Sequence, residues 1–273
     1  MTMIRLIATD MDDTLLDAGS RVTERTARAL RMAMDAGVLI SLSSGRMTES
    51  MLAFAQSLQV NAPMILFNGA MIFDHRTERT LFANAIPAAL ARQVAQTIDN
   101  RGIYLQAYPG KGYFCNRRTD HTDRYEKSIR VPVTELGVPI SQWLETDMVK
   151  LLAISTPEII ARVQDDLQRQ FPTGVRFMKS KPCYLEIVAQ GIDKGGSLAR
   201  LAGFLGIDRE EVMAFGDGQN DASMVAYAGC GVAMDNAVAE CKAGAKIIAP
   251  KNTEDGVAQI IEQFLKDEKL GRS

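Results

Sequence analysis

The chain of 273 residues is 47% hydrophobic and has a formal net charge of −2 at pH 7, with 31 Lys and Arg against 33 Asp and Glu. This length suits one large domain or two, and the balanced charge gives no basic stripe that would bind nucleic acid or anionic lipid. No apolar run approaches the roughly 20 residues that span a bilayer, and the opening stretch lacks a secretory-signal pattern. The four cysteines form no CxxC pair and are expected to be free thiols. We therefore expect a cytoplasmic protein with neither a nucleic-acid nor a membrane partner.

Short apolar runs alternate with amphipathic segments in the first and last parts of the chain. Runs that are apolar along their whole length are typical of strands covered on both faces. The predicted strands are 4–9, 38–43, 64–68, 212–216, 230–234 and 245–249. The predicted helices between them are 24–36, 49–58, 196–205 and 221–228. This alternation predicts an α/β fold, with a Rossmann-like parallel sheet that carries helices on both faces.

The alternation changes between residues 84 and 189. The predicted elements there are helix 87–100, strands 103–108 and 112–116, strand 149–155, helix 157–170, and strands 174–178 and 183–188. This order suggests an antiparallel sheet with helices on one face. The sequence therefore predicts a catalytic core formed by residues 1–83 and 190–273, with residues 84–189 as an inserted α+β cap domain.

Polar side chains follow the predicted parallel strands at the point where each strand ends. Asp10 follows the first strand, Ser43 and Ser44 end the second, Asn68 ends the third, and Asp217, Asn220 and Asp221 follow a later one. Ligands of open parallel sheets bind beyond the carboxyl ends of the strands, so these residues are expected to converge. Several carboxylates in one place need a cation. Because the available ligands are oxygen atoms, Mg²⁺ is the favoured ion.

A positive charge is also predicted at this edge of the sheet. Lys194 lies just before a predicted helix, where the helix dipole disfavours a cation, so its position indicates an anionic partner. A phosphate group fits this requirement. Ser44, the amides around Gly45 and Arg46, and Asn220 are candidates to donate hydrogen bonds to its oxygens. Taken singly, however, Lys194 is also consistent with a solvated surface lysine, and Asp221 with a helix N-cap.

Four short motifs in this order carry a family resemblance. DMDDT (10–14), SSGR (43–46), the DKGG lysine at 194 and GDGQND (216–221) resemble the four motifs of the haloacid dehalogenase superfamily. The long insertion resembles the cap of its Cof-type sugar-phosphatase branch. The sequence departs from that branch at Asp13, where glycine is common, and at Ser44, where threonine is common. The Asp13 position adds a charge, although aspartate can adopt a turn conformation.

The resemblance implies a Mg²⁺-dependent phosphatase that hydrolyses small phosphorylated metabolites through an aspartyl-phosphate. Asp10 would be the nucleophile, and Asp12 the general acid and then the general base. The metal would be held by Asp10, the backbone carbonyl of Asp12, Asp217 and Asp221. The implied phosphate-binding residues are Met11, Ser44, Gly45, Lys194 and Asn220.

Other functions remain open at this stage. A dehalogenase would lack the acid/base carboxylate that Asp12 provides, which argues against that reading. A phosphotransferase of the mutase kind would keep both aspartates, and a phosphate-ester sensor would bind without turnover. Candidates for contacts that select the substrate lie in the insertion, and the sequence does not rank them: Tyr104, Tyr108, Lys150, Lys181 and Tyr184.

Overall fold

A computed structural model describes residues 3–271 of the chain. These residues form two compact units. The first comprises the described residues up to Ser44, Ala53–Leu81, and those from Asp193 onward; the second comprises Gly45–Leu52 and Phe82–Ile192. No helix in residues 3–271 is both long enough and apolar enough to cross a membrane.

Each predicted strand and helix is present in the structure. The strands are β1 (Leu6–Thr9), β2 (Leu39–Leu42), β3 (Met64–Leu66), β4 (Met71–Asp74), β5 (Arg79–Ala83), β6 (Tyr104–Tyr108), β7 (Phe114–Cys115), β8 (Thr134–Glu135), β9 (Lys150–Ile154), β10 (Val175–Lys181), β11 (Tyr184–Ala189), β12 (Val212–Gly216), β13 (Cys230–Met234) and β14 (Ile247–Ala249). The α-helices are α1 (Glu24–Asp35), α2 (Thr48–Ser57), α3 (Ala88–Asp99), α4 (Asp120–Ile129), α5 (Ile140–Trp143), α6 (Pro157–Gln170), α7 (Lys194–Leu205), α8 (Ala222–Tyr227), α9 (Ala239–Ala243) and α10 (Gly256–Lys266). Strands β4, β5 and β8 and helices α4, α5, α9 and α10 were not predicted.

A five-stranded parallel sheet forms the centre of the first unit. Its strand order is β14-β13-β12-β1-β2, and each neighbouring pair is parallel. Every residue of β1 and β12 is buried. Because successive side chains of a strand point to opposite faces, both faces of these strands are covered. The predicted α/β fold with a parallel sheet is confirmed.

Strand β3 corrects one part of the prediction. The segment 64–68 was expected to be a strand of the parallel sheet, but β3 pairs antiparallel with β4 in a separate sheet of order β3-β4-β5. A single parallel bridge, Ser43 to Ile65, joins it to the end of β2. Positive φ angles at Phe67 (52°), Asn68 (57°) and Gly69 (99°) turn the chain back on itself. Apolar residues indicate burial, but they do not specify which strand becomes the partner.

The second unit contains a six-stranded sheet of order β10-β11-β9-β6-β7-β8. Its neighbouring strands are antiparallel except β7 and β8, which pair parallel. Alternation along β6 places Tyr104, Gln106 and Tyr108 on one face. The registers Tyr108 to Lys150, and Gln106 and Glu186 to Leu152, place Lys150 and Glu186 on the same face. This face of the sheet is therefore polar and aromatic.

The register of the parallel sheet brings three strand ends to one edge. Thr9, the last residue of β1, is paired with Phe215 of β12. The amide of Asp10 donates to the carbonyl of Phe215 (3.0 Å), and the amide of Ser43 donates to the carbonyl of Thr9 (2.8 Å). The residues that follow β1, β2 and β12 therefore start side by side.

Candidate active site

A broken helical turn follows β1 and separates its acidic side chains. Within Met11–Leu15, Asp12 (φ −71°, ψ 128°) and Asp13 (φ 59°, ψ 8°) are not helical, and the side-chain amide of Asn236 donates to the carbonyl of Asp13 at 2.8 Å. Asp10 is only 6% exposed, whereas Asp12 and Asp13 are exposed. The turn therefore holds Asp10 in a sheltered position and leaves the carboxylate of Asp12 accessible.

Lys194 is fully buried at the first position of α7. Its Nζ donates to Asp10 Oδ1 and to Asp221 Oδ1, each at 2.5 Å. Burial alone would lower the pKa of this ammonium, but the two carboxylates outweigh burial and raise it. The reading of Lys194 as a solvated surface residue is therefore wrong. The anionic partner expected from its place at a helix start is present as two carboxylates.

Asp221 belongs to the loop that follows β12. Instead of capping α8, its Oδ2 accepts hydrogen bonds from the amides of Asp217 (3.1 Å) and Gly218 (2.9 Å). Its other oxygen contacts Lys194. Gly216 leaves room for the side chain of Asp221, because a β-carbon on residue 216 would lie 2.4 Å from the β-carbon of Asp221. The loop sequence thus fixes the carboxylate against both the backbone and the lysine.

Asp217 is supported by a residue that the sequence did not single out. The hydroxyl of Thr14 donates to Asp217 Oδ1 at 2.6 Å. Burial raises the pKa of Asp217 to about 7, with Asp221 adding to the effect and the hydrogen bond from Thr14 opposing it. The only sequence signal for Thr14 was its place within DMDDT. Its role depends on the pairing of β1 with β12, which local patterns do not reveal.

Asp10, Asp217 and Asp221 form a carboxylate cluster that fits a divalent cation. One oxygen from each lies within 4.8 Å of the others. Burial raises the pKa of Asp10 well above its usual range, and repulsion by Asp221 adds to this although Lys194 opposes it. Three ionised carboxylates exceed the single positive charge of Lys194, and oxygen donors suit a hard cation such as Mg²⁺. The carboxylate of Asp12 lies outside this cluster, so the metal contact predicted for its backbone carbonyl stays a prediction.

The residues predicted to bind phosphate differ in which of their groups are held by hydrogen bonds and which are buried. Ser44 is buried, its amide donates to the carbonyl of Ile65 (2.8 Å), and its carbonyl accepts from the amide of Asn68 (3.0 Å). The side chain of Asn220 donates to Asn68 Oδ1 at 3.0 Å. Asn68, which was expected to converge with these residues from its place at a strand end, therefore contacts both of them. The side chain of Met11 is buried, so any phosphate contact there falls to its backbone.

Two further observations concern the SSGR motif. The hydroxyl of Ser43 is buried and has no hydrogen-bond partner among the residues that the structure describes. Gly45 is half-buried and begins the segment Gly45–Leu52, which packs with the second unit. The motif thus spans the chain position at which the first unit gives way to the second.

A Rossmann-like sheet whose strand ends hold carboxylates, with a buried lysine from the start of a helix among them, is the framework of an α/β enzyme whose site could take a cation. The model of one family, the haloacid dehalogenase-like hydrolases, matches residues 7–261. The chain belongs to this family, and it is a hydrolase of the haloacid dehalogenase superfamily. The family resemblance of its four motifs is confirmed.

Similar proteins extend this result over nearly the whole chain. Pyridoxal phosphate phosphatase YbhA of Escherichia coli is 30% identical over 274 residues, covering 96% of this chain and 98% of the relative. The 5-amino-6-(5-phospho-D-ribitylamino)uracil phosphatase YcsE of Bacillus subtilis is 30% identical over 265 residues, with 96% of each chain covered. A crystal structure of a haloacid dehalogenase-like hydrolase from Bacteroides thetaiotaomicron superposes with a TM-score of 0.88 at 29% identity, covering 96% of this chain and 99% of the other.

Proposed function

We propose that this protein is a Mg²⁺-dependent phosphatase that hydrolyses small phosphorylated metabolites through an aspartyl-phosphate on Asp10. The observation that carries the proposal is the buried carboxylate of Asp10 at the end of β1, with the ammonium of Lys194 at 2.5 Å. A nucleophilic carboxylate must be ionised, and burial opposes ionisation. Lys194 favours the ionised form and also supplies positive charge where a phosphoryl group would gain negative charge.

In the first step, an oxygen of Asp10 forms a bond to phosphorus while the bond from phosphorus to the substrate oxygen breaks. Asp12 gives a proton to that departing oxygen, so the dephosphorylated alcohol leaves neutral. The exposed side chain of Asp12 suits this role, because it can exchange protons with solvent. Ser44, Gly45 and Asn220, with the backbone of Met11, would hold the phosphoryl oxygens.

In the second step, Asp12 takes a proton from a water molecule as the water oxygen bonds to phosphorus. The bond between phosphorus and Asp10 breaks, which releases inorganic phosphate and restores the carboxylate of Asp10. The proton balance closes, because the proton that Asp12 donates in the first step returns to it in the second.

The cation would be held by the carboxylates of Asp10, Asp217 and Asp221 together with the backbone carbonyl of Asp12. When bound, it would neutralise negative charge shared between the carboxylates and the phosphate. The excess of three carboxylates over one lysine supports this assignment. Thr14, through its hydrogen bond to Asp217 at 2.6 Å, would orient one of the ligands.

The substrate class proposed is small phosphomonoesters. Two relatives of equal identity, 30%, have names that specify different substrates: pyridoxal phosphate and a phosphoribitylamino-uracil. The feature common to both is a phosphate ester on a small polar metabolite, and equal identity favours neither compound. We further propose, on the family resemblance, that residues 84–189 select among such esters.

A phosphate-release assay tests the proposed function. The purified protein with Mg²⁺ is supplied with p-nitrophenyl phosphate, pyridoxal phosphate, the phosphoribitylamino-uracil and several hexose phosphates. We expect equal amounts of inorganic phosphate and dephosphorylated product, and, after acid quenching, one phosphoryl group on the peptide that contains Asp10. Formation of an isomeric phosphate ester without inorganic phosphate would indicate a mutase. Binding without turnover across the panel would indicate a sensor.

A further inference from the structure

A cavity of about 260 Å³ lies wholly within the second unit. It is found where the start of β6 meets the end of β9, two strands whose register pairs Tyr104 with Ile154. The end of α3, the loop after β7 and the start of α4 complete its wall. None of the residues around it belongs to the four motifs of the candidate active site. The proposed phosphoryl transfer therefore does not use this cavity.

Several polar side chains around the cavity are not engaged by the described part of the chain. Among these residues, no hydrogen bond or ion pair involves the side chains of Asn116, Arg117 and Ser155. Asp99 accepts a hydrogen bond at Oδ2 from the amide of Ser141 (2.9 Å), and no hydrogen bond within the same described range reaches its Oδ1. Water can solvate any one of these groups. Because all of them border one concave space, they are also available together to one bound molecule.

The remainder of the wall is apolar and aromatic. Leu105 and Ile154 are buried side chains of β6 and β9. The rings of Tyr104 and His121 pack against each other, with their centroids 5.6 Å apart. The hydroxyl of Tyr104 accepts a hydrogen bond from Thr122 Oγ1 at 2.8 Å, so its polar end already has a partner. Apolar walls with a few polar groups are typical of small-molecule sites.

The two charged residues of the wall have opposite signs. The guanidinium of Arg117 is always protonated, and no ion pair joins it to Asp99 in the part of the chain that the structure describes. A simple anion would be attracted by one residue and repelled by the other, and so would a simple cation. A ligand with both a carboxylate and an ammonium group can pair with each. The volume is below the roughly 300–1,000 Å³ typical of pockets for drug-sized ligands, so it suits a small metabolite.

We propose that this cavity binds a free amino acid with an apolar or aromatic side chain. Arg117 pairs with the carboxylate of this ligand, and Asp99 pairs with its ammonium group. Asn116 and Ser155 add hydrogen bonds to these polar groups, and the apolar part of the wall receives the side chain. The inference does not rest on the proposed function, because the ligand carries no phosphate group and the cavity lies within one unit.

Titrations followed by nuclear magnetic resonance test this site in the full-length protein. Each of the twenty standard amino acids is added to ¹⁵N-labelled protein. At least one with an apolar or aromatic side chain should bind with a Kd of about 1 mM or tighter. The largest shifts should be those of the backbone amides in 99–105, 116–121 and 154–155. Absence of binding by every amino acid at about ten times that Kd, or largest shifts elsewhere in the chain, would overturn the proposal.

Matched compounds test the pairing of the two charges. The tightest-binding amino acid is compared with the acid and the amine that share its side chain; for phenylalanine these are 3-phenylpropionate and phenethylamine. The amino acid should bind about tenfold tighter than either, because each lacks one of the charged groups. If the acid bound as tightly as the amino acid, the cavity would be a site for simple anions and the proposal would fail.

Two substitutions remove the proposed partners one at a time. Arg117→Met, at an exposed position, should weaken binding of the amino acid about tenfold or more. Asp99→Asn keeps an oxygen for the amide of Ser141 and removes the charge, so it should weaken the amino acid similarly without weakening the matched acid. The controls are Arg162→Met and Asp165→Asn, the same substitutions at exposed positions of α6, which should match the wild type. Wild-type affinity in either cavity variant would contradict the role given to that residue and overturn the proposal.

Discussion

Each of the two units contains a buried lysine paired with acidic side chains, but the arrangement of the charges differs. Lys194 in the first unit contacts Asp10 and Asp221, and Asp217 completes a cluster of three carboxylates. Lys150 in the second unit is paired with the carboxylate of Glu186. The three carboxylates of the first cluster exceed the charge of its lysine, whereas the lysine of the second is matched by a carboxylate. We infer from this difference that the first cluster is built to receive a cation, whereas the second holds a fixed internal contact.

The pKa shifts of the two clusters show the same contrast. In the first, burial raises the pKa of Asp10 and brings that of Asp217 to about 7. These carboxylates are therefore hard to ionise together. In the second, the pKa of Lys150 is raised and the residue remains charged. A buried charge with a matching partner is satisfied within the protein, whereas an excess of like charges requires a ligand.

The largest expected effect is on turnover. Asp10→Asn replaces the nucleophile with an amide of nearly the same shape, and kcat should fall by about 10⁴-fold or more, as for other nucleophile deletions. The control is Asp35→Asn, the same substitution at an exposed carboxylate, which should keep wild-type kcat. Phosphate release is measured for the three proteins, with circular dichroism to verify folding. Substantial turnover by a folded Asp10→Asn protein would refute the aspartyl-phosphate mechanism.

The second effect is on pH-dependent stability without metal. The pKa of Asp217 is about 7 in the folded chain, above its ordinary value of 3.8, so the folded state binds this proton more tightly. This stabilisation is fully present below pH 3.8 and is lost as the pH rises through about 7, a change on the order of 4 kcal/mol. Lys150 has its pKa raised from 10.5, so its contribution is lost only at higher pH.

Urea denaturation of thoroughly metal-depleted protein from pH 4.5 to 7.5 measures this change. The wild type should lose stability across the range, and Asp217→Asn should lose less, because its amide does not titrate. The substitution also removes a source of repulsion, so above pH 7 the metal-free variant should be no less stable than the metal-free wild type. Equal pH dependence in both proteins would show that Asp217 ionises as freely as a solvated carboxylate.

The third effect is stabilisation by metal. A ligand that binds only the folded state at 100 times its Kd adds about 2.7 kcal/mol to the free energy of unfolding, or about 5–10 °C in Tm. Mg²⁺ should produce such a rise in the wild type, and Asp217→Asn should lose most of it. Glu186→Gln, in the second unit, should keep it. A variant Asp217→Asn that responds to Mg²⁺ as steeply as the wild type would exclude Asp217 as a ligand.

The smallest effect concerns the backbone at Asp13. Its φ of 59° lies in the left-handed region, which glycine adopts without strain. Asp13→Gly should therefore raise the free energy of unfolding by about 0.5 kcal/mol. Asp13→Asn removes the charge and leaves the backbone preference similar, so it separates charge from conformation. Thermal melts of the three proteins measure the difference, and a glycine variant less stable than the wild type would contradict this account.

Much of the architecture could be predicted from the sequence because hydrophobic patterns report burial directly. Strands β12 and β13 and helix α6 have the predicted bounds. Helix α4 was missed because its sequence is largely polar and only Thr122, Tyr125 and Ile129 are buried. Helix α10 was not predicted, although its buried residues Val257, Ala258 and Ile261 have the spacing of an amphipathic helix. The partner of β3 could not be predicted, because an apolar strand accepts either a parallel or an antiparallel neighbour.

The residues of the candidate site that lie within the four ordered motifs could be predicted from the sequence. Asp10, Lys194, Asp217 and Asp221 were expected together, and the structure brings them together. The contact of Thr14 with Asp217 was not foreseen, because it depends on the register of strands far apart in sequence. The same limit applies to Lys150, whose partners come from distant segments.

Because β1 pairs with β12, the parallel sheet can be completed only late in synthesis of the chain. Thr14 and Asp217 are 203 positions apart, and every residue of the second unit lies between them. At about 5–20 residues per second, the ribosome adds Asp217 about 10–40 s after Thr14. Throughout that interval β1 lacks its neighbour β12, and Phe82–Ile192 is made in full before the interval ends. The inserted segment can therefore fold on the nascent chain before its host sheet is complete.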